Sequence, residues 1–152
     1  MSTTKVVKLS SLQANLAKER DGDWIPANDL GPGVAFFVRS TNSPEFQLAR
    51  DLANMNLAKK YNGEPPSTPE EHETRSKEHA RINGMLAVEH LLSDWRGLDT
   101  PFSEDVAATT LTDESYRRVR NSVYAAATKV GQRDVEFVES AAKNSGEPSV
   151  TN

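Results

Sequence analysis

The sequence predicts a mainly α protein, a helical bundle of about four helices with a small N-terminal β-hairpin or strand element. Helix-start signals at Ser43-Pro44-Glu45 and Thr68-Pro69-Glu70-Glu71 carry that prediction, together with apolar residues recurring at helical spacing after Leu111. Strand-like residues cluster before Ser40. A chain of 152 residues fits one domain, expected over residues 1–144, with 145–152 as a disordered tail. Residues 1–12 form either a short strand around Val6 and Val7 or a flexible arm.

Each element follows from local chemistry. In DGDWIPANDLGPGVAFFVRS, Gly and Pro punctuate β-branched and aromatic residues, which predicts two short strands, at Trp24-Ile25 and Val34 to Val38, paired as a hairpin. Ser43 then supplies an N-cap, Pro44 the first helical position and Glu45 an acid in the first turn, predicting a helix over 44–61. Phe46, Ala49, Ala53 and Leu57 share one stripe, and Leu48, Leu52 and Met55 an adjacent one, so a broad buried face is expected. The prolines of NGEPPS end that helix.

Thr68 and Glu71 make a capping box for a helix expected to reach about residue 95, charged in its first half and apolar in its second. Gly97 is placed to stop it. Ser103-Glu104-Asp105 starts a short helix and Leu111-Thr112-Asp113-Glu114 another. In the last, Tyr116, Val123, Val130 and Phe137 recur every seven residues, predicting one long helix through Gly131. A mid-helix glycine costs about 1 kcal/mol relative to alanine, so Gly131 marks a weak point. Arg133 and Ser140 are too polar for a buried seam, so that end is expected to project.

Eighteen basic and twenty-two acidic residues, well mixed for a net charge of −4, give no basic stripe for a nucleic acid. There is no cysteine, hence no thiol nucleophile or thiolate metal site, which is compatible with a reducing cytoplasm. No apolar run approaches the roughly 20 residues of a membrane span, and a soluble protein is expected. Phosphate-loop, dinucleotide and nucleophile-elbow patterns do not occur, so no cofactor is expected.

His72, His79 and His90 share one helix face at separations of 7 and 11 residues. A rise of 1.5 Å per residue sets them roughly 10 and 16 Å apart, too far for one metal. His90 and Asp94 stand four apart beside Ser93, but helical neighbours diverge by about 100°, so a helix-end interaction is the better reading. No catalytic, cofactor-binding or metal residue is nominated. The stretch at Trp95, Gly97 and Ser103 is instead read as a structural joint, with Trp95 packing on Phe102 and Val106 or lining a partner groove.

HLLSDWRGLDTPFSEDVAATTLTDESYRRVRNSVYAAA, residues 90–127, resembles the tail assembly chaperones of long, flexible-tailed (lambda-like) bacteriophages. The shared pattern is an apolar segment ending in Asp-Trp-Arg-Gly-Leu, then Pro-Phe-Ser, a Leu before the next helix, and Arg120-x-x-Val123 before a run of small residues. Upstream, Asp21-Gly22-x-Trp24-Ile25 and Ser43-Pro44-Glu45-Phe46 extend the similarity to roughly residues 20–144.

The resemblance implies a non-enzymatic holdase in the host cell cytoplasm, absent from the mature virion. Such a protein keeps the tape-measure protein soluble and helps recruit tail tube protein subunits; an exposed apolar stripe would receive a helix of that client or, by self-association, a neighbouring copy. Family members often have a longer frameshifted product, and Ala142-Lys143-Asn144 is encodable as GCA AAA AAC, which contains a slippery heptamer. Val130, Phe137 and Val138 are nominated as a partner-binding stripe on the long helix, the alternative being that the stripe is internal core. A structural virion component, such as a tail completion or head-tail connector protein, is the competing function, followed by a small enzyme or regulator.

Overall fold

Strand pairing between distant segments shapes this chain more than its helix patterning suggests. The computed structural model describes residues 4–140. The expected tail at 145–152 and Ala142-Lys143-Asn144 lie outside the described residues. In chain order the elements are β1 (Thr4–Val7), α1 (Leu16–Asp21), β2 (Asp23–Pro26), β3 (Ala35–Val38) and α2 (Pro44–Lys60). There follow α3 (Pro69–His90), β4 (Leu92–Arg96), α4 (Glu104–Leu111), α5 (Arg117–Lys129) and β5 (Phe137–Ser140). Among the described residues, five α-helices and five strands in two sheets make the fold mixed α/β, which corrects the expected helical bundle.

Contacts divide the described residues into two compact units, one from Leu16 to Gly131, the other joining residues 4–15 with residues 132–140. In the larger unit β2, β3 and β4 form an antiparallel sheet with β3 central. The β2–β3 hairpin is the one expected from the sequence, with Trp24 opposite Phe37 and Ile25 opposite Phe36. The third strand is not: α3 ends at His90, and Leu92–Arg96, read from the sequence as the end of a helix, is β4.

A bulge explains the misreading. Phe36 pairs with Trp95 and Phe37 with Asp94, but Val38 pairs with Leu92, so Ser93 has no residue opposite. Strand side chains alternate between faces, and one inserted residue lets Leu92 and Trp95, three apart, both turn inward beside Phe36 and Val38. In sequence that spacing resembles one side of a helix.

Phe36, Leu91, Leu111, Val123 and Val130 are fully buried around this sheet. Helix α3 approaches α4 through Ala80, Gly84 and Ala87, all buried. A Cβ on Gly84 would sit 2.1 Å from the Leu111 carbonyl oxygen. Tyr124 of α5 donates to the Asn83 carbonyl at 2.7 Å, and burial pushes its pKa up to about 12.

The long C-terminal helix is also corrected. Helix α5 stops at Lys129, Val130 turns extended (φ −60°, ψ 138°) and Gly131 takes φ 83°, a left-handed conformation that only glycine adopts at little cost. Phe137 is therefore not on that helix. In α2, Phe46 and Leu57 are buried as expected, but Leu48, Leu52 and Met55 are 62%, 50% and 52% exposed. The buried face is narrower than the apolar pattern implied, because nothing among the described residues covers the second stripe.

The α2–α3 connection is held by polar contacts. Glu78 accepts from Lys60 Nζ at 2.7 Å and from the Tyr61 hydroxyl. The Arg75 guanidinium lies 3.9 Å from the Tyr61 ring centre and donates to the Glu64 carbonyl at 2.6 Å. Thr68 Oγ1 caps α3 by accepting from the Glu71 amide at 3.1 Å. Glu71 itself reaches one residue further back than a capping box requires, accepting from the Ser67 amide at 2.7 Å.

In the smaller unit β1 and β5 pair antiparallel, and Lys8 N donates to the Glu136 carbonyl at 2.7 Å. Ser11 is buried there, its hydroxyl donating to the Lys8 carbonyl at 2.7 Å and accepting from the Glu136 amide at 3.0 Å. The short strand at Val6 and Val7 is thus the alternative the structure adopts.

Gly84→Ala is expected to lower stability by about 2–3 kcal/mol, the cost of overpacking against backbone, and to lower the urea midpoint without changing the denaturant slope. Hydrogen bonds from Lys60 and Tyr61 lower the Glu78 pKa. A depressed folded-state carboxyl stabilises the fold above its unfolded pKa, and that stabilisation is lost as pH falls through the folded value. Thermal midpoints of the wild type and Glu78→Gln should accordingly differ at neutral pH and converge in acid.

Candidate functional site

The joint singled out in the sequence is a packed corner. Trp95 is 6% exposed and meets Phe102 edge-on with ring centres 5.2 Å apart. Its indole N–H donates to the Thr100 carbonyl at 2.7 Å, closing the loop after β4. A Cβ on Gly97 would lie 2.3 Å from the Gly33 carbonyl oxygen, so the chain passes tightly against the turn between β2 and β3. Gly97 therefore ends a strand, not the expected helix. Ser103 Oγ accepts from the Val106 amide at 3.1 Å and caps α4.

The opposite end of α4 is closed by Arg120, 8% exposed, which donates to the carbonyls of Leu111 and Asp113, both at 3.2 Å. The Leu111 carbonyl ends α4 at the negative end of its dipole, and the Asp113 carbonyl follows just beyond the C-cap Thr112, so a buried guanidinium finds partners there. Desolvation lowers its pKa. The residues that carry the resemblance thus shape the corner: Trp95 and Gly97 its entry, Ser103 the start of α4, and Arg120 the end of α4.

The histidines do not converge. His72 and His79 are exposed on α3, and His90, half-buried, ends it. Asp94 lies on β4, where its carboxylate accepts from the Trp95 amide at 2.8 Å, so the helical His90–Asp94 pairing does not form. His90 Nε2 is 4.0 Å from Glu89, beyond hydrogen-bond distance. His90 also lines a groove of about 540 Å³ with Leu16, Glu19, Arg39, Ser43 and Glu45, a mixed-charge lining. No group of three or more metal-ligating side chains occurs among the described residues. Among them, too, no helix is long and apolar enough to cross a membrane.

The three residues nominated for partner binding separate. Val130 is 1% exposed in the core of the larger unit. Phe137 and Val138 lie on β5 in the smaller unit, 58% and 45% exposed, so they form no helical stripe with Val130. They pair with Val7 and Val6, 45% and 41% exposed. Alternation sends the Val7–Phe137 pair to one face of the ribbon and the Val6–Val138 pair to the other. Sequence reasoning missed this partnership. Its signal was Val6-Val7 in one segment and Phe137-Val138 in the other, flanked by complementary charges: Lys5 stands opposite Glu139, and Lys8 is 3.5 Å from Glu136.

These features describe a small mixed α/β protein with apolar side chains exposed on a strand ribbon and on one helix face. Residues 41–144, more than half the chain, match the family model described as YdaY prophage protein. The chain belongs to that family and is phage-derived. No curated protein and no solved structure matches it.

Trp95→Ala should cost about 3–5 kcal/mol in a urea titration, the range for truncating a buried aromatic. Trp95→Phe keeps most of the packing but leaves the Thr100 carbonyl unpaired, and should cost about 1–2 kcal/mol.

Proposed function

We propose that the chain is a non-enzymatic phage tail assembly chaperone. It binds the tape-measure protein in the host cytoplasm, keeps it soluble, helps recruit tail tube subunits and leaves before the virion is complete. The observation that carries this reading is the β1–β5 ribbon, with a large apolar pair exposed on each face: Val7 with Phe137, and Val6 with Val138. Membership of a prophage protein family and the resemblance of residues 20–144 to tail assembly chaperones support it.

The physical logic is that of a holdase. A long helical client exposes apolar stripes that aggregate in water, and burying them returns about 25 cal/mol per Å². A two-stranded ribbon is marginal alone and gains from being covered. Short contacts of this kind bind weakly one by one, which suits a protein that must be displaced when tube subunits arrive.

Co-expression with the tape-measure protein of the same prophage tests the proposal. The client should move into the soluble fraction, and Phe137→Asp with Val138→Asp should abolish the effect. Both side chains are exposed, so the double variant should itself fold, with stability within about 1 kcal/mol of the wild type. A client equally insoluble with and without the chain, or equally soluble with the folded double variant, contradicts the reading.

A further inference from the structure

Helix α2 carries a second apolar stripe that the fold does not use. Glu45, Leu48, Leu52, Met55 and Lys59 are all exposed. Their spacing is three, four, three, four, the alternation of a coiled-coil seam. At 100° per residue they lie within an arc of about 80°. The buried stripe of Phe46, Ala53 and Leu57 occupies another side of the same helix.

The order of charges selects a partner. The seam begins with an acid and ends with a base, and its midpoint is Leu52. If a second α2 lies antiparallel across a two-fold axis at Leu52, Leu52 meets Leu52, Leu48 falls within one residue of Met55, and Glu45 meets Lys59 at both ends. A parallel pair would instead set Glu45 against Glu45 and Lys59 against Lys59. Neither Glu45 nor Lys59 forms an ion pair among the described residues. Antiparallel packing also aligns the two helix dipoles favourably. A self-complementary patch of this kind is what an isologous dimer requires.

We propose that the protein forms a two-fold dimer through α2, its seam made by Leu48, Leu52 and Met55 and closed at both ends by Glu45–Lys59 pairs. This inference does not rest on the chaperone role, since it uses a different surface from the β1–β5 ribbon.

Sedimentation equilibrium of the full chain tests it. The wild type should show a concentration-dependent rise to twice the monomer mass, and Leu52→Asp should be monomeric with an unchanged circular dichroism spectrum. Glu45→Lys or Lys59→Glu alone should each weaken the dimer by about tenfold, because each reversal turns two attractive pairs repulsive. The double reversal should restore it. A wild type that stays monomeric overturns the proposal, including one whose α2 face is protected only when tape-measure protein is present. So does a dimer indifferent to Leu52→Asp and to the charge reversals. Phe137→Asp should leave the dimer intact, which separates failure here from failure of the chaperone reading.

Discussion

The larger unit depends on the pairing of β3 with β4, where Phe36 stands opposite Trp95. The two strands are far apart in sequence, so closing the loop between them costs entropy that only the buried contacts can offset. Phe36 is fully buried and Trp95 nearly so. Because β4 occupies that edge, α3 must stop at His90, the chain must turn at Gly97 against Gly33, and α4 must start afresh at Ser103. The indole of Trp95 faces both ways, packing on Phe102 and bonding to the loop that leads to α4.

Much of this was legible in the residues. Ser43-Pro44, Thr68-Pro69 and Ser103 mark the starts of α2, α3 and α4, because caps and first-turn prolines act through local backbone geometry that a sequence displays directly. The β2–β3 hairpin was readable for the same reason. What failed was the one-sided apolar spacing after His90, since a bulged strand and a helix both place residues three apart on one side. Only the partner strand decides between them, and that partner is remote. The continuation of α5 through Gly131 failed for a related reason. The seven-residue recurrence at Phe137 belongs to a strand, and periodicity carries no record of where the backbone leaves the helix.

The candidate surfaces were less legible than the fold. Leu48, Leu52 and Met55 look like core in a sequence, and apolar spacing cannot tell a stripe that a neighbour covers from one that nothing covers. Phe137 and Val138 were picked out, but as a helical stripe with Val130, whereas the pairing of β5 with β1 joins them to Val6 and Val7. The stretch whose pattern resembles tail assembly chaperones lies mostly in the corner around Trp95 and Arg120, whose side chains hold the framework. The ribbon and α2, both outside that corner, carry exposed apolar side chains. Residues that hold the framework and residues exposed on its surfaces are thus separate sets, as expected where function resides in surfaces carried by a fold.

The proposal that this phage-derived chain assists tail assembly without becoming part of the tail is tested most directly by following the protein through an induced infection. Lysates taken before and after tail completion would be fractionated by sedimentation and quantified by mass spectrometry. The account predicts that the chain co-sediments with tape-measure protein early and is absent from purified particles. A fixed copy number in finished particles, or no co-sedimentation with tape-measure protein at any time, would contradict it.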